Sequence, residues 1–315
     1  MNDVQHITTV AATPETVYGL LADATTWPVH FHPTVHVERF EEDGPDERLR
    51  IWAVAGDQVK SWTSHRHRDP EGLRIAFRQE VYQPPVAAMS GAWVLRGLPD
   101  GGTEVVLEHS YRAVDDDPHG LAWIAEVTDR NSRAELANLK ALAEQPADRS
   151  ELVLTFEDTV VVDGRTSDVY DFLYRAQSWP DRLPHVARMD LTEDEPGVQI
   201  MEMDTITADG AMHTTKSVRV CFTDERIVYK QIVVPPLMTA HTGEWRVTAV
   251  RGGVSVTSQH TVAIRPEAVP GVLGEGATVA DAREFARTAL SGNSRITLEH
   301  AKAYAEGTTT AGSQV

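Results

Sequence analysis

Hydrophobic and polar residues alternate along six consecutive segments in the first half of the chain. The segments cover about residues 35–41, 47–54, 58–68, 73–82, 90–97 and 103–113. Alternation with a period of two is typical of half-buried strands. A short strand is predicted before them at 5–10, and helical spacing indicates a long helix over 119–143. The pattern therefore predicts an antiparallel sheet that is followed by one long helix.

A shorter helix is predicted between the first strand and the sheet. Thr13 and Pro14 have the residue types that favour an N-cap and a first helical turn. Val17, Leu20 and Leu21 then follow at helical spacing. Trp27-Pro28 is expected to end this region, because the residue before proline avoids helical geometry.

The second half of the chain repeats this pattern. Trp27-Pro28 returns as Trp179-Pro180, 152 positions later, and Arg74-Ile75 returns as Arg226-Ile227 with the same offset. The register shifts at 266–276, where Pro and Gly predict a loop of about ten extra residues. We therefore predict two domains, at 1–145 and 151–306, joined by a short polar linker. Residues 307–315 are expected to form a disordered tail.

The order of elements predicts the fold class. Strands run together and helices are segregated, which is the pattern of an α+β protein. We expect two tandem helix-grip domains, each a curved antiparallel β-sheet wrapped around a long C-terminal helix. Such an arrangement leaves an internal pocket between sheet and helix, suited to an apolar ligand.

Composition narrows the class of function. Twenty-nine basic and 47 acidic residues give a net charge of −18, which argues against nucleic acid or an anionic membrane surface as a partner. Cys221 is the single cysteine, so no intrachain disulfide can form. The N-terminus lacks the features of a signal peptide, and no stretch of 18 apolar residues is present, so a cytoplasmic monomer is expected.

No cofactor or metal is expected from the motifs. The chain has no phosphate-binding loop, dinucleotide glycine pattern, His-Glu-x-x-His or Gly-x-Ser-x-Gly. His30, His32 and His36 form a histidine cluster. They fall in a loop-to-strand passage without a carboxylate or cysteine at useful spacing, which disfavours a metal site.

Alternation also assigns polar residues to the inner face of each sheet. Trp62, Ser64 and Arg66 share one face, and Ser217 and Arg219 repeat that arrangement. The inward apolar face of the last strand includes a histidine in both copies, at His109 and His260, and the long helices place Asn131 and Asn293 on apolar stripes. Each residue also has a purely structural interpretation. Their convergence in one cavity favours a ligand, because unpaired buried polar groups cost about 1–3 kcal/mol each.

Several of these motifs together resemble a known enzyme family. The repeated Trp-Pro, the segments Trp62-Thr63-Ser64-His65-Arg66 and Met89-Ser90-Gly91-Ala92-Trp93, and Arg130-Asn131-Ser132 resemble the aromatase/cyclases of bacterial type II polyketide synthases. The tandem arrangement is similar to their di-domain class. The resemblance implies a fold shared with START domains and plant pocket allergens. It also implies aldol closure and dehydration of the first ring of a carrier-protein-bound, ketoreduced poly-β-ketone, alongside other synthase components.

The resemblance also suggests roles for individual residues. The main catalytic arginine of the family falls on Arg66, and a tyrosine that acts as acid or base in some members falls at His32, which is a departure. The hypothesis is that two pockets carry the catalytic residues Arg66, Arg219, Ser64, Ser217, His109 and His260. The expected substrate-binding residues are Trp27, Phe31, His32, Trp62, Met89, Trp93, Asn131, Trp179, Met238, Trp245 and Asn293.

Two alternatives remain open at the level of sequence. The fold would also suit a non-catalytic carrier or chaperone of a hydrophobic ligand. Alternatively, one half alone is catalytic and the other is a scaffold. The two copies differ at His32 and Trp62, which correspond to Pro184 and Thr215, so the pockets need not perform the same step.

Overall fold

The computed structural model describes residues 1–56, 58–145, 149–206, 210 and 212–312. The chain folds as two compact units, Met1–Pro146 and Ala147–Val315. We call these the N-terminal unit and the C-terminal unit. No helix in the described ranges is long and apolar enough to cross a membrane.

The N-terminal unit is one seven-stranded antiparallel sheet with one long helix. The strand order is β1-β7-β6-β5-β4-β3-β2, so the first strand pairs with the last. Its elements are β1 (Asn2–Val10), α1 (Pro14–Ala22), a 3₁₀ turn (Ala24–Thr26), α2 (Trp27–His30), β2 (Thr34–Asp43), β3 (Asp46–Ala55), β4 (Gln58–Asp69), β5 (Arg74–Val81), β6 (Val86–Gly97), β7 (Thr103–Ala113), a 3₁₀ turn (Val114–Asp116) and α3 (Pro118–Ala143).

The C-terminal unit repeats this topology, with strand order β8-β14-β13-β12-β11-β10-β9. Both units have the predicted helix-grip arrangement, so the α+β fold is confirmed. The elements of this unit are α4 (Arg149–Leu152), β8 (Val153–Val162), α5 (Thr166–Tyr174), a 3₁₀ turn (Ala176–Ser178), α6 (Trp179–Arg182), β9 (Val186–Glu195), β10 (Val198–Ile206), β11 (Met212–Phe222), β12 (Arg226–Val233), β13 (Met238–Val250), β14 (Gly253–Ile264), a 3₁₀ turn (Pro266–Ala268), α7 (Val269–Leu273) and α8 (Val279–Gly312).

The long helix of each unit lies against the two neighbouring strands that begin and end the sheet. In the N-terminal unit α3 contacts β1 and β7. The buried side chains of α3 recur every three or four residues and form the stripe that faces the sheet: Gly120, Ile124, Thr128, Ser132, Leu136 and Leu139. The middle of this stripe is polar, at Thr128 and Ser132. These two residues line the same cavity as His109 of the sheet.

The prediction that Trp-Pro ends the helical region is wrong. Trp27 has helical dihedral angles (φ −56°, ψ −34°) and begins α2, and Trp179 begins α6 in the same way. Pro28 lies in the first turn of its helix, where a backbone N–H is not needed for an intrahelical bond. The N–H of Phe31 donates to the carbonyl oxygen of Trp27 at 2.7 Å and closes this single turn.

Two predicted irregular segments are helical. The insertion at 266–276 contains a 3₁₀ turn and α7, because Val269 is buried in a cluster with Leu237 and Val262. The last helix continues to Gly312, beyond the predicted start of a tail at Gly307. Ala301 and Ala305 are fully buried near that point, so tertiary packing holds the helix up to the residues that composition assigns to a tail. Residues 313–315 lie outside the described residues.

Candidate active site

The N-terminal unit contains a cavity of about 140 Å³ between the inner face of its sheet and the middle of α3. The β3–β4 hairpin and the β5–β6 connection form its other sides. Its larger apolar lining residues are Trp62, Val86, Met89, Trp123, Ile124 and Val127. Its polar and charged lining residues are Lys60, Ser61, Gln79, Gln83, His109, Thr128, Asn131, Ser132 and Glu135. Of the residues predicted from sequence, Trp62, Met89, His109 and Asn131 meet in this cavity.

His109 enters the cavity from β7 and is supported by a glycine. Its cross-strand partner on β6 is Gly91, whose own partner on β5 is Phe77. A Cβ at position 91 would lie 2.6 Å from the Phe77 ring, so only glycine lets that ring approach His109, with ring centroids 5.4 Å apart. The His109 Nδ1 atom is buried and has no hydrogen-bond partner among the described residues. Burial, reinforced by the charge of His6, lowers the pKa of His109 to about 4.

Glu135 is a cavity residue that sequence reasoning missed. It lies on α3 one turn beyond Asn131, is half-buried, and forms no hydrogen bond or ion pair with the part of the chain that the structure describes. Burial raises the pKa of this carboxyl to about 7. The spacing of Asn131 and Glu135 contained the signal, because residues four apart lie on one face of a helix. The corresponding residue in the C-terminal unit is Thr297.

The remaining polar residues of the cavity are hydrogen-bond donors or a cation. Asn131 Nδ2 donates to the carbonyl oxygen of Val54 at 3.2 Å, which ties α3 to the β3–β4 hairpin. The hydroxyls of Thr128 and Ser132 are buried on the cavity side of α3. Lys60 lines the cavity from β4. The arrangement is an apolar space with one neutral base, one protonatable acid and several donors.

Arg66 and Ser64 are buried on the inner face, as predicted, but they do not line this cavity. Arg66 is 1% exposed, and its Nη1 lies 2.8 Å from Glu47 Oε1 in a fully buried ion pair. Its Nη2 donates to the carbonyl oxygen of Leu21 at 2.7 Å, and its guanidinium lies 4.8 Å from the Trp27 ring centroid. Burial lowers the pKa of Arg66 to about 10. Arg66 thus joins the end of α1 to the sheet.

Other predicted pocket residues of the N-terminal unit belong to its core or surface. Phe31 and Trp93 are buried with ring centroids 6.4 Å apart, and Trp27 packs on Phe31 at 5.5 Å. These three aromatic side chains fill the interior beside α1 rather than the cavity. His32 is exposed. The hydroxyl of Ser64 donates to the carbonyl oxygen of Arg78 at 3.2 Å, so it supports the sheet.

In the C-terminal unit the position of His109 is occupied by His260, which has a different environment. His260 Nδ1 lies 3.0 Å from the Tyr229 hydroxyl and 2.9 Å from His241 Nε2. His260 Nε2 lies 2.6 Å from Ser294 Oγ and 3.3 Å from Ser258 Oγ. Burial lowers the pKa of His260 to about 4 and that of His241 well below its usual value. Both ring nitrogens of His260 are engaged within the protein.

Arg219 repeats the position of Arg66 without its carboxylate. Arg219 Nη2 donates to the carbonyl oxygen of Leu173 at 2.6 Å, and the guanidinium lies 5.5 Å from the Trp179 ring centroid. Its cross-strand partner is Gln199, where Arg66 faces Glu47. Gln199 Nε2 donates instead to Glu193 Oε2 at 2.8 Å. Within the described ranges, Arg219 has no carboxylate partner at ion-pair distance. Burial lowers its pKa.

Most of the other predicted site residues of the C-terminal unit lie in its hydrophobic core. Trp179, Trp245 and Met238 are buried members of hydrophobic clusters, and Ser217 is buried beside the core residue Met201. The predicted position of Asn293 on the inward face of its helix is wrong, because Asn293 is exposed and the adjacent Ser294 is buried. Neighbouring positions differ by only about 100° around a helix, so periodicity alone does not decide which of them faces the sheet.

The chain matches a family model described as polyketide cyclase / dehydrase and lipid transport, over residues 1–144 and again over 153–306. It is 48% identical over 312 residues to the actinorhodin polyketide synthase bifunctional cyclase/dehydratase of Streptomyces coelicolor, covering 96% of each chain. It is 46% identical over 298 residues to the granaticin polyketide synthase bifunctional cyclase/dehydratase of Streptomyces violaceoruber, covering 94% of this chain and 92% of that protein.

Solved structures agree with these relatives. The chain is similar to the di-domain ARO/CYC BexL from the BE-7585A biosynthetic pathway, with 50% identity, a TM-score of 0.84 and coverage of 97% of this chain and 99% of that one. It is also similar to the di-domain ARO/CYC StfQ from the steffimycin pathway, with 39% identity, a TM-score of 0.85 and coverage of 98% and 99%. The resemblance inferred from sequence is therefore confirmed: the chain belongs to the polyketide cyclase/dehydrase family, as a di-domain aromatase/cyclase of aromatic polyketide biosynthesis.

Proposed function

We propose that this enzyme closes the first ring of a carrier-protein-bound poly-β-ketone by an aldol reaction and then dehydrates it, with the acid–base chemistry in the N-terminal cavity. One observation carries the proposal. His109 and Glu135 line the same apolar space, and burial shifts their pKa values to about 4 and about 7. A neutral imidazole and a protonated carboxyl therefore coexist between these values, which is the arrangement that acid–base catalysis needs.

The first step requires one base and one acid. A methylene between two carbonyl groups is already acidic, so no cofactor is needed. His109 accepts a proton from this carbon, and the resulting enolate carbon bonds to a ketone carbon of the same chain. Glu135 donates its proton to the new alkoxide, which Thr128 and Ser132 are placed to stabilise with hydrogen bonds. After ring closure His109 is a cation and Glu135 is a carboxylate.

The second step uses the same pair with reversed roles. The His109 cation donates its proton to the departing hydroxyl, which leaves as water. The Glu135 carboxylate accepts the proton from the neighbouring carbon, and a carbon–carbon double bond forms. Both groups return to their starting protonation states, so cyclisation followed by dehydration needs no net exchange of protons with solvent. The proposal thereby links the two activities in one cavity.

The size of the cavity supports closure of a single ring. An engineered protein cavity of about 150 Å³ holds one benzene molecule, and the cavity here measures about 140 Å³. Trp62, Met89 and Trp123 limit how a flexible chain can bend inside it. Restricting the chain to one reactive conformation supplies up to about 7–11 kcal/mol in favourable cases. The rest of the substrate then extends through the mouth of the cavity towards its carrier protein.

His109→Gln and Glu135→Gln test the proposal, because each removes proton transfer while keeping size and polarity. In a reconstituted synthase, each variant should lower the rate of first-ring aromatic product by about 10²–10⁴-fold. Product is measured by chromatography against spontaneously cyclised by-products, and folding by circular dichroism. The matched control is His260→Gln in the C-terminal unit, which should retain most of the activity if it folds. Wild-type rate in either N-terminal variant would contradict the proposal.

The pH dependence provides an independent check. Because His109 must be neutral and Glu135 protonated, kcat/KM should rise as pH increases through about 4 and fall as pH increases through about 7. Glu135→Gln should remove the fall near pH 7 from its residual activity. A non-catalytic carrier of a hydrophobic ligand would show neither limb, and its ligand affinity would be insensitive to Glu135→Gln.

A further inference from the structure

Gln79 is a polar residue of the N-terminal cavity that the mechanism described above does not use. It lies on β5, two residues after Phe77, and its cross-strand partner on β4 is Ser64. Residues two apart on a strand share a face, so the Gln79 side chain lies on the same inner face as Phe77. It lines the cavity together with Met89 and His109. Gln79 is therefore placed to contact a molecule that the cavity binds.

The carboxamide of Gln79 has an unpaired hydrogen-bond acceptor. Its Nε2 donates to Met89 Sδ at 3.6 Å. A thioether sulfur only accepts hydrogen bonds, so the nitrogen is the end of the amide that faces it. The Oε1 atom is buried and has no hydrogen-bond partner in the part of the chain that the structure describes. Because the terminal torsion of a glutamine side chain is broad, a small rotation presents this oxygen to a ligand.

The other two amide side chains of the cavity are tied to its frame. Asn131 Nδ2 donates to the carbonyl oxygen of Val54 at 3.2 Å, and Gln83 Oε1 accepts a hydrogen bond from the backbone N–H of Ser61 at 3.2 Å. Both bonds join a wall of the cavity to the β3–β4 hairpin. Gln79 Oε1 has no such bond. An unpaired buried acceptor is costly, and a cavity keeps one more readily where a ligand donates to it.

The unpaired oxygen restricts the chemistry of the ligand. An acceptor needs a donor, and the ketone oxygens of a poly-β-ketone only accept hydrogen bonds. The donors that such a chain carries are hydroxyl groups, either an alcohol formed by reduction of one ketone or an enol in equilibrium with its ketone. The strands of Gln79 and His109 are separated by β6, so their backbones lie roughly 10 Å apart at the usual strand spacing. The hydroxyl group is thus on a part of the chain beside the carbons that react at His109.

We propose that Gln79 determines the specificity of the cavity for a substrate chain with a hydroxyl group, which donates a hydrogen bond to Gln79 Oε1. This inference rests on the proposed function, in which the cavity closes the first ring. Gln79 binds and orients the chain and takes no part in proton transfer. If the hydroxyl group is an alcohol, a reduction of one ketone must precede this enzyme in the reaction sequence.

Binding of small ligands tests this recognition without turnover. Phenol and toluene are single rings of nearly equal size, and only phenol has a hydroxyl donor. Their dissociation constants are measured in the full chain from the NMR shift of the Met89 methyl group, assigned among the seven methionines by the signal lost in Met89→Leu. Gln79→Leu should lower the preference for phenol over toluene by roughly tenfold, because it removes the acceptor. The affinity for toluene should stay within about twofold.

Two further variants separate the acceptor from general damage. Gln79→Glu keeps an acceptor oxygen and should keep at least the wild-type preference for phenol. Gln231→Leu is the matched control in the C-terminal unit, because Gln231 faces Ser217 as Gln79 faces Ser64, and its Oε1 is likewise buried without a partner in the described part of the chain. It should leave both Met89 titrations unchanged. An unchanged preference in Gln79→Leu would overturn the inference.

The two sources of the hydroxyl group are distinguished in a reconstituted synthase, with and without an enzyme that reduces one ketone of the chain. For an alcohol, Gln79→Leu should lower the rate of first-ring product about tenfold from the reduced chain and little from the unreduced chain. For an enol, both rates should fall equally. Unchanged rates from both chains would overturn the inference. Full activity in His109→Gln would instead refute the proposed function, since the preference for phenol does not depend on turnover.

Discussion

His109 and His260 occupy the same place in two copies of one fold, yet of these two residues only His109 has a buried ring nitrogen without a hydrogen-bond partner in the described part of the chain. Both lie opposite a glycine, Gly91 or Gly243, on which an aromatic ring packs. The ring is Phe77 in the N-terminal unit, whereas the C-terminal unit has a tyrosine whose hydroxyl reaches the histidine. The added oxygen is thus one of the groups that engage His260 in a buried network.

The neighbouring substitutions act in the same direction. Met89 corresponds to His241, and Leu107 corresponds to Ser258. Each change from the N-terminal to the C-terminal unit adds a polar group within hydrogen-bond distance of His260. Buried polar groups are stable when they satisfy one another. Both copies thus keep a histidine at this position, and the surrounding residues determine whether its ring nitrogens are available to a ligand.

The largest expected difference between the units concerns the buried arginines. Glu47→Gln should destabilise the N-terminal unit by about 3–5 kcal/mol, because it leaves the Arg66 charge buried without its carboxylate. The variant gives Arg66 a glutamine as its cross-strand partner, as Arg219 has in Gln199. Hydrogen exchange of β3 and β4 at increasing urea concentration measures the effect. Gln199→Leu is the control in the other unit, with an expected cost of about 1.5–3 kcal/mol because it removes the side-chain hydrogen bonds to Glu193 and to the carbonyl oxygen of Tyr174. A cost below about 1 kcal/mol for Glu47→Gln would contradict the role of the pair.

Acid should weaken the C-terminal unit through its two buried histidines. Well above pH 6.5, the ordinary pKa of histidine, both are neutral in the folded and unfolded states and add no pH dependence. As pH falls from 6.5 to about 4, the unfolded chain binds protons first, and His260 alone lowers the free energy of unfolding by about 3 kcal/mol. The depressed pKa of His241 adds to this loss.

His241→Met copies Met89 into the C-terminal unit and tests this account. The variant should lose less stability than wild type between pH 6.5 and pH 4.5, as measured by urea unfolding with hydrogen exchange in β13 and β14. His213→Gln, at an exposed position, should leave the loss unchanged. An equal loss in His241→Met and wild type would show that the buried pair does not determine the acid sensitivity.

The fold was largely predictable because its signals are periodic. Alternation assigned Ser64 and Arg66 to the inner face correctly, and the two buried side chains confirm it. Alternation does not show how far along the strand a residue lies from the cavity. Arg66 lies four residues from Trp62, or about 13 Å at strand spacing, which separates the cavity from the Glu47 pair. The sequence thus predicted the face on which each side chain lies. Which of these side chains line the cavity depends on the part of the strand that the helix and the hairpin enclose.

The missed acid has a related explanation. Glu135 lies at the edge of the buried stripe of α3, next to Leu136. A glutamate is rarely buried without a partner, so the default expectation for such a position is a solvated face. Recognising Glu135 as a cavity residue required knowing that the β3–β4 hairpin leaves a space next to that part of α3. By contrast, His109 and Asn131 were found because a polar residue inside an otherwise apolar pattern is itself informative.

Phe77→Tyr gives the smallest expected effect and tests the comparison most directly. It introduces the Tyr229 hydroxyl into the N-terminal unit, where the ring already lies 5.4 Å from His109. The new hydroxyl should donate to His109 Nδ1, as the equivalent atoms lie 3.0 Å apart at His260. A hydrogen bond of about 1–1.5 kcal/mol to the buried Nδ1 favours the tautomer that carries its proton on Nε2, so Nε2 can accept a proton only when that bond is given up, which corresponds to roughly a tenfold lower kcat.

The reverse substitution, Tyr229→Phe, separates this effect from general damage. It removes one of the two contacts at His260 Nδ1 and leaves the contact with His241, so the activity should stay within about twofold while the C-terminal unit loses about 1 kcal/mol of stability. If Phe77→Tyr folds, shows the new hydrogen bond by a shifted His109 resonance and retains the wild-type kcat, then His109 Nδ1 has no influence on turnover. The freedom of that nitrogen would then not be what distinguishes the two units, and the difference would lie in Glu135, which Thr297 replaces.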